Sequence, residues 1–130
     1  MFIPETIGTP LSPGATRVML LGAGELSKEL AISLHRLGVE VHSVDRDETA
    51  PAQQVAQVAH VLDVNNPERI NDLIAAVRPD FIVPEIESVA TDVLEAVEAE
   101  DVAVVVPSAK ATKLCVNRET IRRLADERLG

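Results

Sequence analysis

Short apolar runs alternate along this chain with segments whose apolar residues recur every three or four positions. Val18–Leu21 is one run, ended by Gly22, and Val39–Val44 is another, rich in β-branched residues and followed by Asp45 and Arg46. Both predict strands. Between them Leu26, Leu30, Leu34 and Leu37 recur at helical spacing and Gly38 follows as a stop, which predicts a helix of about 12 residues. Two strands joined through a helix make a βαβ unit, whose crossover is right-handed and whose strands are parallel.

The alternation continues. His60–Val64 predicts a third strand, and Asn66-Pro67-Glu68 a helix start with proline at the first helical position, with Ile70, Leu73, Ile74 and Val77 as its buried stripe. Phe81–Val83 predicts a fourth strand, and Val89, Val93, Leu94 and Val97 the helix after it. Val102–Val106 predicts a fifth strand ended by Pro107, and residues 109–129 are mainly helical with a break near Asn117. This order predicts an α/β fold with a doubly wound, mainly parallel five-stranded sheet in the order 3-2-1-4-5 and helices on both faces. Residues 1–16 carry Pro4, Gly8, Pro10, Pro13 and Gly14, too much punctuation for a regular element, so an extended arm is expected there, followed by one domain over residues 17–130.

Composition narrows the function classes. The chain has 130 residues, 46% of them hydrophobic and 25% charged, within the range of one globular domain with its own core. Twelve Lys and Arg against 21 Asp and Glu give a net charge of -9, which repels a phosphate backbone. Phe2 and Phe81 are the only aromatic residues among Phe, Trp and Tyr, so a base-stacking platform is missing as well, and no nucleic-acid partner is expected. No basic start leads into an apolar block and no run reaches the length of a membrane helix, which with the single Cys115 predicts no membrane association and a cytoplasmic, reducing setting. Cys115, between Leu114 and Val116, reads as a buried structural thiol rather than a nucleophile.

In a doubly wound sheet, ligands bind beyond the carboxyl ends of the strands. Gly22-Ala23-Gly24-Glu25-Leu26-Ser27 at the first such end is similar to the G-x-G-x-x-G turn that brings backbone up to a dinucleotide. Ser27 stands at the third glycine, and Glu25 brings a carboxylate to the place of a pyrophosphate. Asp45 stands where a dinucleotide enzyme grips a ribose hydroxyl, and a simple turn with two glycines is the other reading. Glu85 and Glu87 follow the fourth strand, suited to hydroxyls or an amine if they are not merely solvated, and Glu87 could instead cap the next helix. His35, His42 and His60 have no metal-ligand spacing. No phosphate-loop signature, serine nucleophile elbow or recognisable catalytic pair occurs, so no metal and no catalytic residue is expected within the chain.

Taken together, the segments Ala15–Leu26, Arg36–Val41 with Val44-Asp45-Arg46, Ile82–Glu87 with Ala90-Thr91-Asp92, and Ala109–Leu114 with Asn117-Arg118-Glu119 and Ile121–Ala125 closely resemble the N-terminal, Rossmann-like pre-ATP-grasp domain of the formate-dependent phosphoribosylglycinamide formyltransferase family. The likeness runs over nearly the whole chain from about Gly8. It implies an enzyme of purine synthesis that uses ATP and magnesium to activate formate as formyl phosphate and then formylates glycinamide ribonucleotide. By the same resemblance, Glu25, Leu26 and Glu85 contact that substrate, Gly22 and Gly24 support the loop, Arg118 reaches toward ATP, and the full-length enzyme is a homodimer. The family continues past Gly130 into ATP-grasp and C-terminal domains carrying the magnesium ligands and most ATP contacts, so this piece alone is expected to bind ligand weakly and catalyse nothing. A sister ATP-grasp enzyme acting on aminoimidazole ribonucleotide has a similar first loop, though its later segments fit less well. A free-standing NAD-binding module is the reading from another class.

Overall fold

The computed structural model describes residues 3–85 and 89–130. Among these, β1 (Arg17–Leu21), β2 (Glu40–Asp45), β3 (Val58–Val61), β4 (Phe81–Pro84) and β5 (Val104–Val105) form an all-parallel sheet in the order β3-β2-β1-β4-β5. The helices are α1 (Glu25–Arg36), α2 (Pro67–Val77), α3 (Thr91–Ala99), α4 (Ala109–Val116) and α5 (Arg118–Leu129), with a short 3-10 turn at Pro51–Gln54. The expected α/β fold and strand order are therefore found. β1 lies between β2 and β4, with Leu21 opposite both Val44 and Pro84, so these three strands end level with one another. That level edge is where the chain reverses its winding and where a crevice opens.

Both faces are covered. On one, Met19, Leu21, Val44 and Ile82 pack against Ile70 and Ile74 of α2 and Val93, Leu94 and Val97 of α3. On the other, Val18, Leu20 and Val41 pack against Leu30, Ala31 and Leu34 of α1. Each of the large fully buried side chains, such as Leu20, Ile82 and Leu94, contributes roughly 1.5–3 kcal/mol by leaving water.

Local details differ from the sequence pattern for identifiable reasons. The stripe that α1 buries is Ser27, Leu30, Ala31 and Leu34, whereas Leu26 and Leu37 are 70% and 63% exposed. The set Ser27, Leu30, Ala31 and Leu34 follows the i, i+3, i+4, i+7 spacing of one helix face, which rotates Leu26 outward. β3 begins at Val58 rather than His60, because its ladder is set by pairing with His42–Asp45; Val64 lies past the strand and is buried beneath α3, accepting from Ala90 N–H. β5 is shorter than the Val102–Val106 run, since Val102 closes the turn after α3 by donating to Val97. Cys115 is exposed, not buried. α4 turns only Ala109 and Thr112 inward, so its last turn, with Cys115, remains in solvent. Asn66 caps α2 and Asn117 caps α5 through side-chain oxygens accepting backbone N–H groups, which explains both helix starts.

At the opposite, amino end of the sheet a buried polar chain ties down the residues before β1. Glu40 accepts from Arg17 Nε at 3.1 Å and from Leu11 N–H, and it meets His42 Nε2 at 2.6 Å. His42 Nδ1 in turn meets His60 Nε2 at 2.9 Å. Because Glu40 is an acceptor, His42 donates from Nε2 and shares a single proton with His60 across the second contact. Burial, then the charge of His42, holds the pKa of His60 below its ordinary 6.5. Burial raises that of Glu40, but the hydrogen bonds of His42 and Leu11 and the charges of His42 and Arg17 outweigh it and hold it below 4.5.

Both shifts make the unfolded chain bind more protons than the folded one as pH falls, so stability is lost toward acid. His60 contributes nothing above its ordinary value and begins to cost stability as pH drops below 6.5. The contribution of Glu40 is complete above 4.5 and is lost as pH falls through its lower folded value. Urea midpoints measured against pH are expected to stay flat above about 6.5 and then decline in these two stages. Glu40→Gln is expected to lower stability by about 1–2 kcal/mol at neutral pH, since the amide keeps one acceptor, and to remove the lower stage.

Candidate functional site at the ends of the central strands

The turn after β1 is held by bonds from every side. Gly22, at φ +101°, takes a conformation that glycine adopts without strain. Its N–H donates to Val44 O at 2.9 Å, and its carbonyl accepts from Ser27 Oγ at 2.8 Å. Ser27, at the position of the missing third glycine, is therefore a buried structural hydroxyl. Ala23 N–H donates to Asp45 Oδ2 at 3.0 Å, and Ala23 O accepts from Ala52 N–H at 2.9 Å. Gly24 N–H donates to Glu85 Oε2 at 3.3 Å.

These contacts change the reading of the glycine pattern. In a dinucleotide fold the amides of such a turn face a pyrophosphate. Here the Ala23 and Gly24 amides face two carboxylates of the chain itself, so a pyrophosphate would meet Asp45 and Glu85 instead of free donors. Asp45, read from sequence as a ribose grip, already receives an N–H on each oxygen, from Ala23 and from Asp47. Its bond to Ala23 joins residues 22 apart in the chain, which no local sequence pattern signals.

Glu85 comes to the turn through β4: its N–H donates to Leu21 O at 2.9 Å, extending the ladder by one residue. The missing side chain at Gly24 gives its carboxylate room, since a Cβ there would stand 3.1 Å from Glu85 Oε1. Glu25 and Leu26 open α1 and are exposed beside it. The carboxylate of Glu25 lies at the helix N-terminus, where an acid is stabilised by the helix dipole, and its oxygens remain available to an amine or hydroxyl. Gly22, Gly24, Glu25, Leu26 and Glu85 are thus gathered on one edge. Arg118 is not joined to them: it starts α5, exposed, and forms no ion pair among the described residues. Glu87 lies outside the described residues. Among the described residues no group of His, Cys, Asp and Glu could hold a metal ion, and no helix is long and apolar enough to cross a membrane.

The chain is a doubly wound α/β domain and belongs to the ribonucleotide synthetase preATP-grasp domain family, whose model fits residues 15–116. Its relatives include the formate-dependent phosphoribosylglycinamide formyltransferases of Corynebacterium efficiens, 58% identical, and Burkholderia mallei, 59% identical, each over 130 residues that cover all of this chain and 32% of the relative. The chain thus spans about a third of the length of these relatives. Among solved structures, glycinamide-RNase-transformylase T from Mycobacterium tuberculosis superposes with a TM-score of 0.82 at 42% identity, over 88% of this chain and 35% of that one. The N5-carboxyaminoimidazole ribonucleotide synthetase from Thermotoga maritima shares the fold, with a TM-score of 0.77 at 21% identity over 86% of this chain and 30% of that one.

Proposed function

We propose that this chain is the substrate-binding domain of an enzyme that formylates glycinamide ribonucleotide with formate and ATP. The observation that carries the reading is identity of 58–59% over all 130 residues to relatives bearing that formyltransferase name. In this reading a formate oxygen attacks the terminal phosphorus of ATP and ADP leaves. The substrate amine then attacks the formyl carbon and phosphate leaves. Glu25, Leu26 and Glu85 hold the ribonucleotide, with the carboxylates serving its amine or hydroxyls, and Gly22 and Gly24 shape the turn. The exposed guanidinium of Arg118 suits a phosphate of ATP. When bound, magnesium would neutralise phosphate charge at the ATP, held by residues of the complete enzyme outside this chain. The complete enzyme works as a cytoplasmic homodimer on small molecules, without a nucleic-acid or membrane partner, and this chain alone is inactive.

The aminoimidazole ribonucleotide reading rests on a likeness of fold at 21% identity, and the NAD reading meets two carboxylates at the phosphate position. The test is the complete gene product, assayed for formylation of glycinamide ribonucleotide with ATP and formate; no product would sink the proposal. Glu25→Ala in that protein is expected to raise KM for the ribonucleotide about tenfold, the loss of one exposed charged hydrogen bond, with KM for ATP within about twofold.

A further inference from the structure

We propose that Asp45 is a positioning residue of the ribonucleotide site, holding the Ala23 peptide so that Glu25 and Leu26 are aimed at the ligand, and that it makes no ligand contact itself; this rests on the function proposed above.

Ala23 and Asp45 belong to a closed ring of hydrogen bonds. Ala23 N–H donates to Asp45 Oδ2 and Asp47 N–H to Asp45 Oδ1, both at 3.0 Å, so the carboxylate is held from two sides. Asp47 Oδ1 accepts from Thr49 N–H and Oγ1, and Asp47 O accepts from Ala50 N–H. The chain then enters the 3-10 turn, where Ala52 N–H donates back to Ala23 O. Residues 45–52 therefore form a bracket that grips one residue, Ala23, by the N–H of the peptide before it and the C=O of the peptide after it. Ala23, Ala50 and Ala52 pack together inside it. The bracket is tied to the sheet, because Asp45 O accepts from Leu62 N–H at 3.0 Å and Gln53 Nε2 reaches His60 O at 2.9 Å. A residue gripped in this way on both of its peptides fixes the direction in which the next residues, Gly24, Glu25 and Leu26, leave the turn. An error of about 1 Å in such a group costs a large part of its effect. Each oxygen of Asp45 is engaged by an amide, whereas only one oxygen of Glu85 is, which separates the two.

Asp45→Asn keeps the size but sets an NH2 against one of two N–H donors, so one grip is lost. In the complete gene product KM for glycinamide ribonucleotide is expected to rise about tenfold, with kcat and KM for ATP within about twofold. Amide hydrogen exchange of a peptide covering residues 22–27 is expected to quicken at least tenfold, with peptides from α3 unchanged. Asp47→Ala, at an exposed side chain that steadies the same bracket through Thr49, is expected to raise the same KM a few-fold, and decides the matter if Asp45→Asn fails to fold. A raised KM with unchanged exchange would mean direct contact with ligand and overturn the proposal, as would quickened exchange with an unchanged KM, or equal loss of ribonucleotide and ATP binding. If the unsubstituted protein forms no product, the functional reading falls and the inference with it.

Discussion

Glu85→Ala in the complete gene product is expected to raise KM for glycinamide ribonucleotide by about 100-fold, while KM for ATP moves by less than about threefold. Glu85 is the half-buried acid of the site, and its carboxylate does two things. It accepts from Gly24 N–H at 3.3 Å on one oxygen, and in the proposed function the other oxygen meets the ribonucleotide. Truncation removes a charged partner of about 1.5–3 kcal/mol and leaves the Gly24 amide unpaired beside the ligand. Since 1.4 kcal/mol is tenfold, the two losses together reach about two orders of magnitude. Steady-state kinetics with each substrate varied in turn measures this directly. Equal weakening of ribonucleotide and ATP would show that the substitution damages the fold, and an unchanged ribonucleotide KM would remove Glu85 from the site. Glu85→Gln should fall between, because the amide retains an oxygen for Gly24 but loses the charge.

Leu94→Ala is expected to have the largest effect on stability, about 3–5 kcal/mol. Leu94 is fully buried and lies in the cluster that joins α3 to β1, β4 and α2. Removing its branched end forfeits transfer energy and leaves a cavity that the parallel sheet beneath cannot close, because its backbone is held by ladder bonds on both sides. For a domain with total stability of about 5–15 kcal/mol this is a large fraction. Chemical denaturation followed by circular dichroism is expected to show a lower midpoint with an unchanged slope. A loss below about 1 kcal/mol would mean that α3 is loosely docked. The contrast is Leu37→Ala, on an exposed side chain at the end of the helix, which is expected to stay within about 0.5 kcal/mol.

Much of the architecture was legible from periodicity because each signal was local. The alternation of apolar runs with helical spacing sufficed for five parallel strands and their order, since right-handed crossovers leave few arrangements for such a chain. Asn66-Pro67 and Asn117 were readable helix starts because capping is settled within three residues. The boundaries of β3 and β5 were not readable. Which of several adjacent valines joins a ladder depends on the partner strand, and Val64 and Val102 look in sequence like strand residues although each does other work.

The turn at Gly22–Leu26 divides in the same way. That it lies at the end of a strand, opens a helix and carries an acid at Glu25 is written in consecutive residues, and the family resemblance assembled from several segments named a ribonucleotide as its ligand. What only the tertiary structure decided is who occupies the turn's amides. Asp45 and Glu85 lie 22 and 61 residues from their partners Ala23 and Gly24, and no local pattern encodes such a pairing. Leu26 shows the same limit in reverse: its spacing placed it with the buried leucines, but the face that packs on the sheet is Ser27, Leu30, Ala31 and Leu34, with Ser27 bonded to Gly22 O, and Leu26 faces out next to Glu25.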